Sequence, residues 1–168
     1  MKSTKGIYLL LGSNLGDRLQ VLSDTQQAIG ASVGRIESIS SVYETEPWGI
    51  RNQPSFYNQV LEIDTEYQPH ELLKQLQRIE NQIGKVKLGK WRERLIDIDI
   101  LYYYQEVIVD ELLKLPHPQI QNRRFTLVPM CEVNPEFVHP VMGVSQKELL
   151  IKCEDQLKVW TLNPSLIE

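Results

Sequence analysis

Apolar positions recur along this chain with two periods, and they predict alternating strands and helices. Residues 6–11 (GIYLLL) form a short continuous apolar run, which predicts a buried strand ending in the turn Gly12-Ser13-Asn14-Leu15-Gly16-Asp17. A helix is predicted next, with Leu19, Leu22, Ala28 and Ile29 facing inward and Gly30 near its end. Residues 33–43 are rich in β-branched side chains and predict one long strand, and 44–54 (ETEPWGIRNQP) predict a loop. Residues 56–65 alternate, with Tyr57, Gln59, Leu61 and Ile63 on one face and Phe56, Asn58, Val60 and Glu62 on the other. Leu72, Leu76, Ile79 and Ile83 recur at helical steps between Pro69 and Gly84. The run 96–102 (IDIDILY) predicts another strand, and 107–109 a partner that pairs with its end as a hairpin. A proline-punctuated loop (115–122), a helix over 123–132 that Pro129 ends or kinks, and a short helix over 145–152 complete the series. Trp160 is expected to pack near the end of the chain.

The order β-α-β-β-α-β followed by further pieces matches the ferredoxin-like split βαβ pattern. The expected fold is therefore α+β: an antiparallel-rich sheet with helices on one face, extra C-terminal helices and a β-hairpin. At 168 residues the chain is expected to form a single domain over 1–168 with a full core.

The strand 96–102 carries the most chemistry. Side chains alternate across a strand, so Asp97 and Asp99 share one face, their carboxylates about 6–7 Å apart. Buried carboxylates need cationic partners. The preceding segment offers Lys85, Lys87, Lys90, Arg92 and Arg94. Acids on a rigid strand beside a basic loop suit Mg²⁺, which takes a few carboxylates together with substrate phosphates. An internal salt-bridge cluster is the alternative.

Bulk properties narrow the partners. A net charge of −4 argues against general nucleic-acid binding, so the basic segment 85–94 favours a small anionic ligand. Cys131 and Cys153 lack CxxC spacing, which argues against a zinc site or disulfide framework. No signal peptide or membrane-length apolar run is present, so a cytoplasmic protein is expected, with no membrane partner.

Several other positions carry candidate chemistry. The Gly12–Gly16 turn lacks the GK[ST] of a P-loop and the GxGxxG of a dinucleotide fold, so a plain tight turn is the better reading. Gln77 and Glu80 share a helix side, either as a solvated edge or, at Glu80, as an acceptor for a ribose hydroxyl. His117 is held between two prolines, whereas His139 reads as structural. Phe56 and Asn58 share a face, and an aromatic ring plus an amide suits a planar heterocycle with ring nitrogens. Trp48, Trp91 and Phe125 are further aromatics able to clamp a flat ligand.

Together these segments resemble the 6-hydroxymethyl-7,8-dihydropterin pyrophosphokinases of folate biosynthesis. The matching stretches are LGSNLGD (11–17), SVYETEPWG (41–49), QPSFYNQV (53–60), QRIENQIG (77–84), RLIDIDIL (94–101), LPHP (115–118), NRRFTLVP (122–129) and HP (139–140). The resemblance implies that Asp97 and Asp99 hold two Mg²⁺ ions bridging the ATP phosphates. It places Gln77, Glu80, Ile100 and His117 at the nucleotide, and Arg94, Arg123, Lys85 and Lys87 at the triphosphate. Thr45, Glu46, Trp48, Phe56, Asn58 and Phe125 would form the pterin slot, with Trp91 closing over it. The implied reaction moves pyrophosphate from ATP to the pterin hydroxymethyl group and releases AMP, a transfer that requires alignment and charge neutralisation. Small molecules are then the only partners, and a monomer is the expected state. At 168 residues, no fused second folate-pathway enzyme is expected.

The chain departs from the family pattern in its basic segment. Trp91-Arg92-Glu93-Arg94 stands where Trp-Gly-Pro-Arg is usual, which changes the backbone freedom of a segment expected to close over ATP. Lys85 and Lys87 replace common arginines, keeping charge without the bidentate fork. Leu112 occupies the place of a basic residue, with Lys114 as stand-in. Two rival readings remain: another Mg-dependent nucleotide phosphotransferase or phosphohydrolase, and a non-catalytic ferredoxin-like binding module.

Overall fold

The computed structural model describes residues 1–46, 54–88 and 95–162, the side chains of 85–88 excepted. The elements run β1 (Ile7–Ser13), α1 (Arg18–Ser32), β2 (Arg35–Ile39), β3 (Tyr43–Thr45), β4 (Phe56–Asp64), α2 (Pro69–Leu88), β5 (Asp97–Tyr103), β6 (Ile108–Val109), β7 (Lys114–Leu115), α3 (Arg124–Val133), α4 (Gln146–Lys152) and β8 (Val159–Thr161). The main sheet is ordered β5-β1-β4-β3-β8 with antiparallel pairings throughout, and β2 lies beyond β3 along the same edge of β4. With β2 and β3 taken as one interrupted strand, this is the expected ferredoxin-like α+β sheet. Among the described residues, no helix is long and apolar enough to cross a membrane.

The apolar alternation explains the packing. Ile7, Leu9 and Leu11 of β1 point toward α1 and α2, joining Leu22, Ile29, Leu72, Leu76 and Ile79 in one core. Tyr8 and Leu10 point the other way, toward Leu127 and Met130 of α3 and Leu149 of α4. Helices thus cover both faces, not one as expected. The β1 run is apolar at every position because both of its faces are buried.

Other expectations were revised by particular backbone events. The stretch 33–43 divides at Ser40, whose hydroxyl accepts from the N–H of Val60 at 2.9 Å while its own N–H donates to the Val60 carbonyl. A bulge between Ile36 and Ser38 twists β2 further. Helix α2 continues through Gly84 to Leu88, since one interior glycine costs only about 1 kcal/mol. Helix α1 likewise passes Gly30, and it buries Val21 and Thr25 beside Leu22 and Ile29. Pro129 lies inside α3, buried like Leu127 and Met130, and does not end the helix. The strand at 108–109 pairs with β7 as a separate two-stranded sheet and not with β5. Trp160 stands on edge strand β8 with 42% of its surface exposed.

Candidate active site

The register of the sheet builds the site. Asp97 on β5 lies opposite Gly12 on β1, which lies opposite Asn58 on β4, which lies opposite Tyr43 on β3. One row therefore reads acid, no side chain, amide, tyrosine. With strands about 4.8 Å apart, the missing side chain at Gly12 leaves a trough between Asp97 and Asn58. The next row sets Asp99 opposite Leu10. A cavity of about 450 Å³ opens over these rows, lined by Asp97, Asp99, Gly12 and Asn58 below and by Thr45, Glu46, Phe56, Arg123 and Phe125 around it. Both acids face it, as the strand period requires. A bulge at Leu101 then reverses the alternation, so that Tyr102 joins the α3 side and Tyr103 the α2 side.

Asn58 is 3% exposed and loosely held: its Nδ2 donates to the Leu11 carbonyl at 3.4 Å, and its Oδ1 accepts from the Thr45 hydroxyl at 3.4 Å. Both bonds are long, so the amide can take a better partner from the cavity. Phe125, from the first turn of α3, brings a second ring to the cavity that Phe56 lines, and the Arg123 guanidinium lies 5.5 Å from the Phe125 ring centre. Gln119 and Asn122 also line this cavity; as polar residues in a loop, they gave no sequence signal.

A second cavity of about 260 Å³ lies beside the first, and Asp99 lines both. Ile100, Lys114 and His117 line it, together with Leu73, Ile98 and the exposed Leu112. His117 is fixed by its backbone N–H donating to the Leu101 carbonyl at 3.0 Å, and its Nδ1 accepts from the Gln119 N–H at 3.2 Å. Burial holds its imidazole below the ordinary value; the nearby Asp99 carboxylate opposes this and Arg123 adds to it. The Leu115–Pro116 peptide before it is cis.

Glu80 is 5% exposed, not a solvated helix edge, and its Oε2 accepts from the backbone N–H of Ile98 at 2.8 Å. It thereby ties α2 to the residue between the two aspartates. Gln77 is exposed on α2 and lines neither cavity. Trp48, Trp91 and Arg94 lie outside the described residues, as do the side chains of Lys85 and Lys87. Leu10 and Gly12 were missed from sequence, because which β1 residues lie opposite Asp97 and Asp99 is set by the cross-strand register.

Two clefts meeting at one carboxylate make a two-ligand site on a ferredoxin-like sheet, the layout of an enzyme that joins two small molecules. The chain belongs to the 7,8-dihydro-6-hydroxymethylpterin-pyrophosphokinase (HPPK) family, whose model matches residues 8–135. It is 41% identical over 152 residues to the 2-amino-4-hydroxy-6-hydroxymethyldihydropteridine pyrophosphokinase of Aquifex aeolicus, covering 90% of this chain and 93% of that one. It is 39% identical over 158 residues to the Haemophilus influenzae protein of the same name, covering 94% of this chain and 98% of that one. Among solved structures, wild-type Plasmodium falciparum HPPK-DHPS superposes with a TM-score of 0.74 at 17% identity, covering 89% of this chain and 45% of that longer one. That likeness carries the fold. The family and its named relatives make this chain an ATP-dependent pyrophosphokinase of folate biosynthesis, with ATP as co-substrate.

Proposed function

We propose that the larger cavity takes 6-hydroxymethyl-7,8-dihydropterin, that the smaller takes the nucleoside end of ATP, and that the triphosphate crosses between them at Asp97 and Asp99. The observation that carries this assignment is the position of Asp99 on the walls of both cavities. The hydroxymethyl oxygen attacks the β-phosphorus, the bond from that phosphorus to the AMP oxygen breaks, and the hydroxyl proton leaves. Asn58 pairs with the pterin edge, Phe56 and Phe125 hold its ring, and Thr45 and Glu46 close the wall; Trp48 and Trp91, outside the described residues, are further pterin candidates by resemblance to the family. His117, Ile100 and Lys114 serve the nucleotide from the cavity wall, Glu80 acts through its bond to the Ile98 backbone, and Gln77, which lines neither cavity, lies on the same helix. Arg94, Arg123, Lys85 and Lys87 offset phosphate charge.

Asp97 and Asp99 suit two Mg²⁺ ions. Both offer hard oxygen donors on one strand face, and no group of three or more metal-binding side chains occurs among the described residues. The protein would then supply a minority of the ligands, which agrees with Mg²⁺ bound largely by substrate phosphates. Bound there, the ions would supply charge stabilisation to the transferring group. On this reading residues 1–168 work as one catalytic unit, a monomer in the cytoplasm that meets only small molecules, and the net charge of −4 suits that role.

The test is product analysis with Mg-ATP and the pterin. AMP with a pyrophosphorylated pterin supports the assignment, whereas ADP points to a phosphotransferase. Isothermal titration of a non-hydrolysable ATP analogue at varied magnesium, with and without pterin, then checks the shared edge of the two cavities.

A further inference from the structure

The wall residues Thr45 and Phe56 face each other in register across β3 and β4. Of their sequence neighbours, Glu46 lines the cavity itself, whereas Glu44, Ser55 and Tyr57 join behind this wall in one connected network. Glu44 stands at its centre. Its Oε1 accepts from the Trp160 indole N–H at 3.0 Å, across the β3–β8 pair, and its Oε2 accepts from the Ser55 hydroxyl. Arg18, at the start of α1, donates to the Ser55 carbonyl at 2.7 Å and to its hydroxyl at 2.9 Å. The same guanidinium donates to the Tyr57 hydroxyl at 3.1 Å and lies 3.8 Å from the centre of that ring. On the far side of Thr45, the Glu46 carboxylate accepts from the Lys158 backbone N–H at 3.0 Å. Every residue flanking Thr45 and Phe56 is thus anchored, and two of the anchors, Trp160 on the C-terminal strand and Lys158 just before it, lie beyond the 8–135 family match.

We propose that Glu44 is a positioning residue for the pterin wall, holding β3, the entry to β4 and the C-terminal strand β8 in one geometry behind Thr45 and Phe56. The proposal rests on the assignment of the larger cavity to the pterin. Glu44 lines neither of the two cavities described above, so its effect reaches the ligand through the backbone of its neighbours. A carboxylate suits the position because its two oxygens each accept from a different element, one from β8 and one from Ser55. Removing it leaves the Trp160 and Ser55 donors without their acceptor and frees the strand ends to move apart. Small displacements of a binding wall weaken alignment far more than they weaken the fold.

The experiment compares wild-type protein with Glu44→Ala, Glu44→Gln and Trp160→Phe by steady-state kinetics, ATP-analogue titration and thermal unfolding. Glu44→Ala is expected to raise KM for the pterin about tenfold while kcat changes less than about twofold. The affinity for the ATP analogue stays at the wild-type value. Glu44→Gln keeps one carbonyl oxygen for Trp160 and a polar group for Ser55, so it restores most of the pterin KM. Trp160→Phe, a change at an exposed edge position, gives an intermediate rise and decides the matter if Glu44→Ala fails to fold. A folded Glu44→Ala protein with wild-type pterin KM, or with pterin and ATP affinities falling together, overturns the proposal alone. Wild-type protein that forms no AMP from the pterin and ATP overturns the cavity assignment and the proposal with it.

Discussion

Gly12→Ala isolates the trough between the acid and the amide. A Cβ built on Gly12 falls 2.8 Å from Asn58 Nδ2 and 4.0 Å from Phe56 Cδ1. The first distance lies well inside the ~3.5 Å of ordinary contact. The strand itself is rigid, paired on both sides by β4 and β5. Asn58 must therefore yield, and its two 3.4 Å hydrogen bonds offer little resistance. It can swing into the 450 Å³ cavity above it. Relief of this kind keeps the overpacking penalty near the low end, about 1 kcal/mol. Replacing a strand glycine by alanine returns about 0.5–1 kcal/mol of backbone entropy, so the two contributions nearly cancel. Thermal unfolding should shift by no more than about 2–4 °C. Binding fares differently, because a displaced Asn58 leaves the pterin edge without its partner and takes up ligand space. An unpaired buried polar group costs about 1–3 kcal/mol, which corresponds to a 5- to 150-fold weaker pterin Kd. Fluorescence titration of the pterin reads this directly, with ATP-analogue titration as the control expected to stay unchanged. A folded variant that binds pterin as tightly as wild type would refute the trough.

Three further outcomes follow from the same geometry. Asp97→Ala should abolish AMP formation while its unfolding curve stays close to wild type, and near-normal turnover would rule out the metal assignment. His139 is 4% exposed, and its Nδ1 accepts from the Val141 and Met142 N–H groups at 3.2 and 3.1 Å, a role lost on protonation. Burial lowers its pKa below the ordinary 6.5, so its stabilisation is complete above that value and declines as pH falls below it. His139→Gln should therefore flatten the loss of stability between about pH 7 and pH 5, and parallel pH curves for the two proteins would argue against this role. Phe137 is fully buried with ring centres 4.9 Å from Tyr8 and 4.6 Å from Tyr102, so Phe137→Ala should cost about 3–5 kcal/mol in urea unfolding. A loss under about 1 kcal/mol would mean that the core of the α3 face collapses around the gap.

Short-range pattern carried much of this protein. Strand parity alone placed Asp97 and Asp99 on one face and sorted Phe56, Asn58 and Val60 from Tyr57, Leu61 and Ile63, because alternation is a property of the backbone itself. The helical spacing of Leu72, Leu76 and Ile79 located α2 for the same reason, and the order of strands and helices pointed to the sheet. Other features depended on residues distant in sequence meeting in space. The bulge at Leu101, the break at Ser40 and the continuation of α2 past Gly84 each reflect how neighbouring strands and cores satisfy backbone groups, which no window of sequence contains. Glu80 read either as a solvated edge or as an acceptor for a ribose hydroxyl, and only the structure brought its carboxylate to the Ile98 N–H. The trough at Gly12, the sharing of Asp99 between two cavities and the Glu44 network behind the wall exist only once the cross-strand register is set. Register is chosen by the packing of the whole sheet against helices on both faces, and so belongs to the tertiary structure.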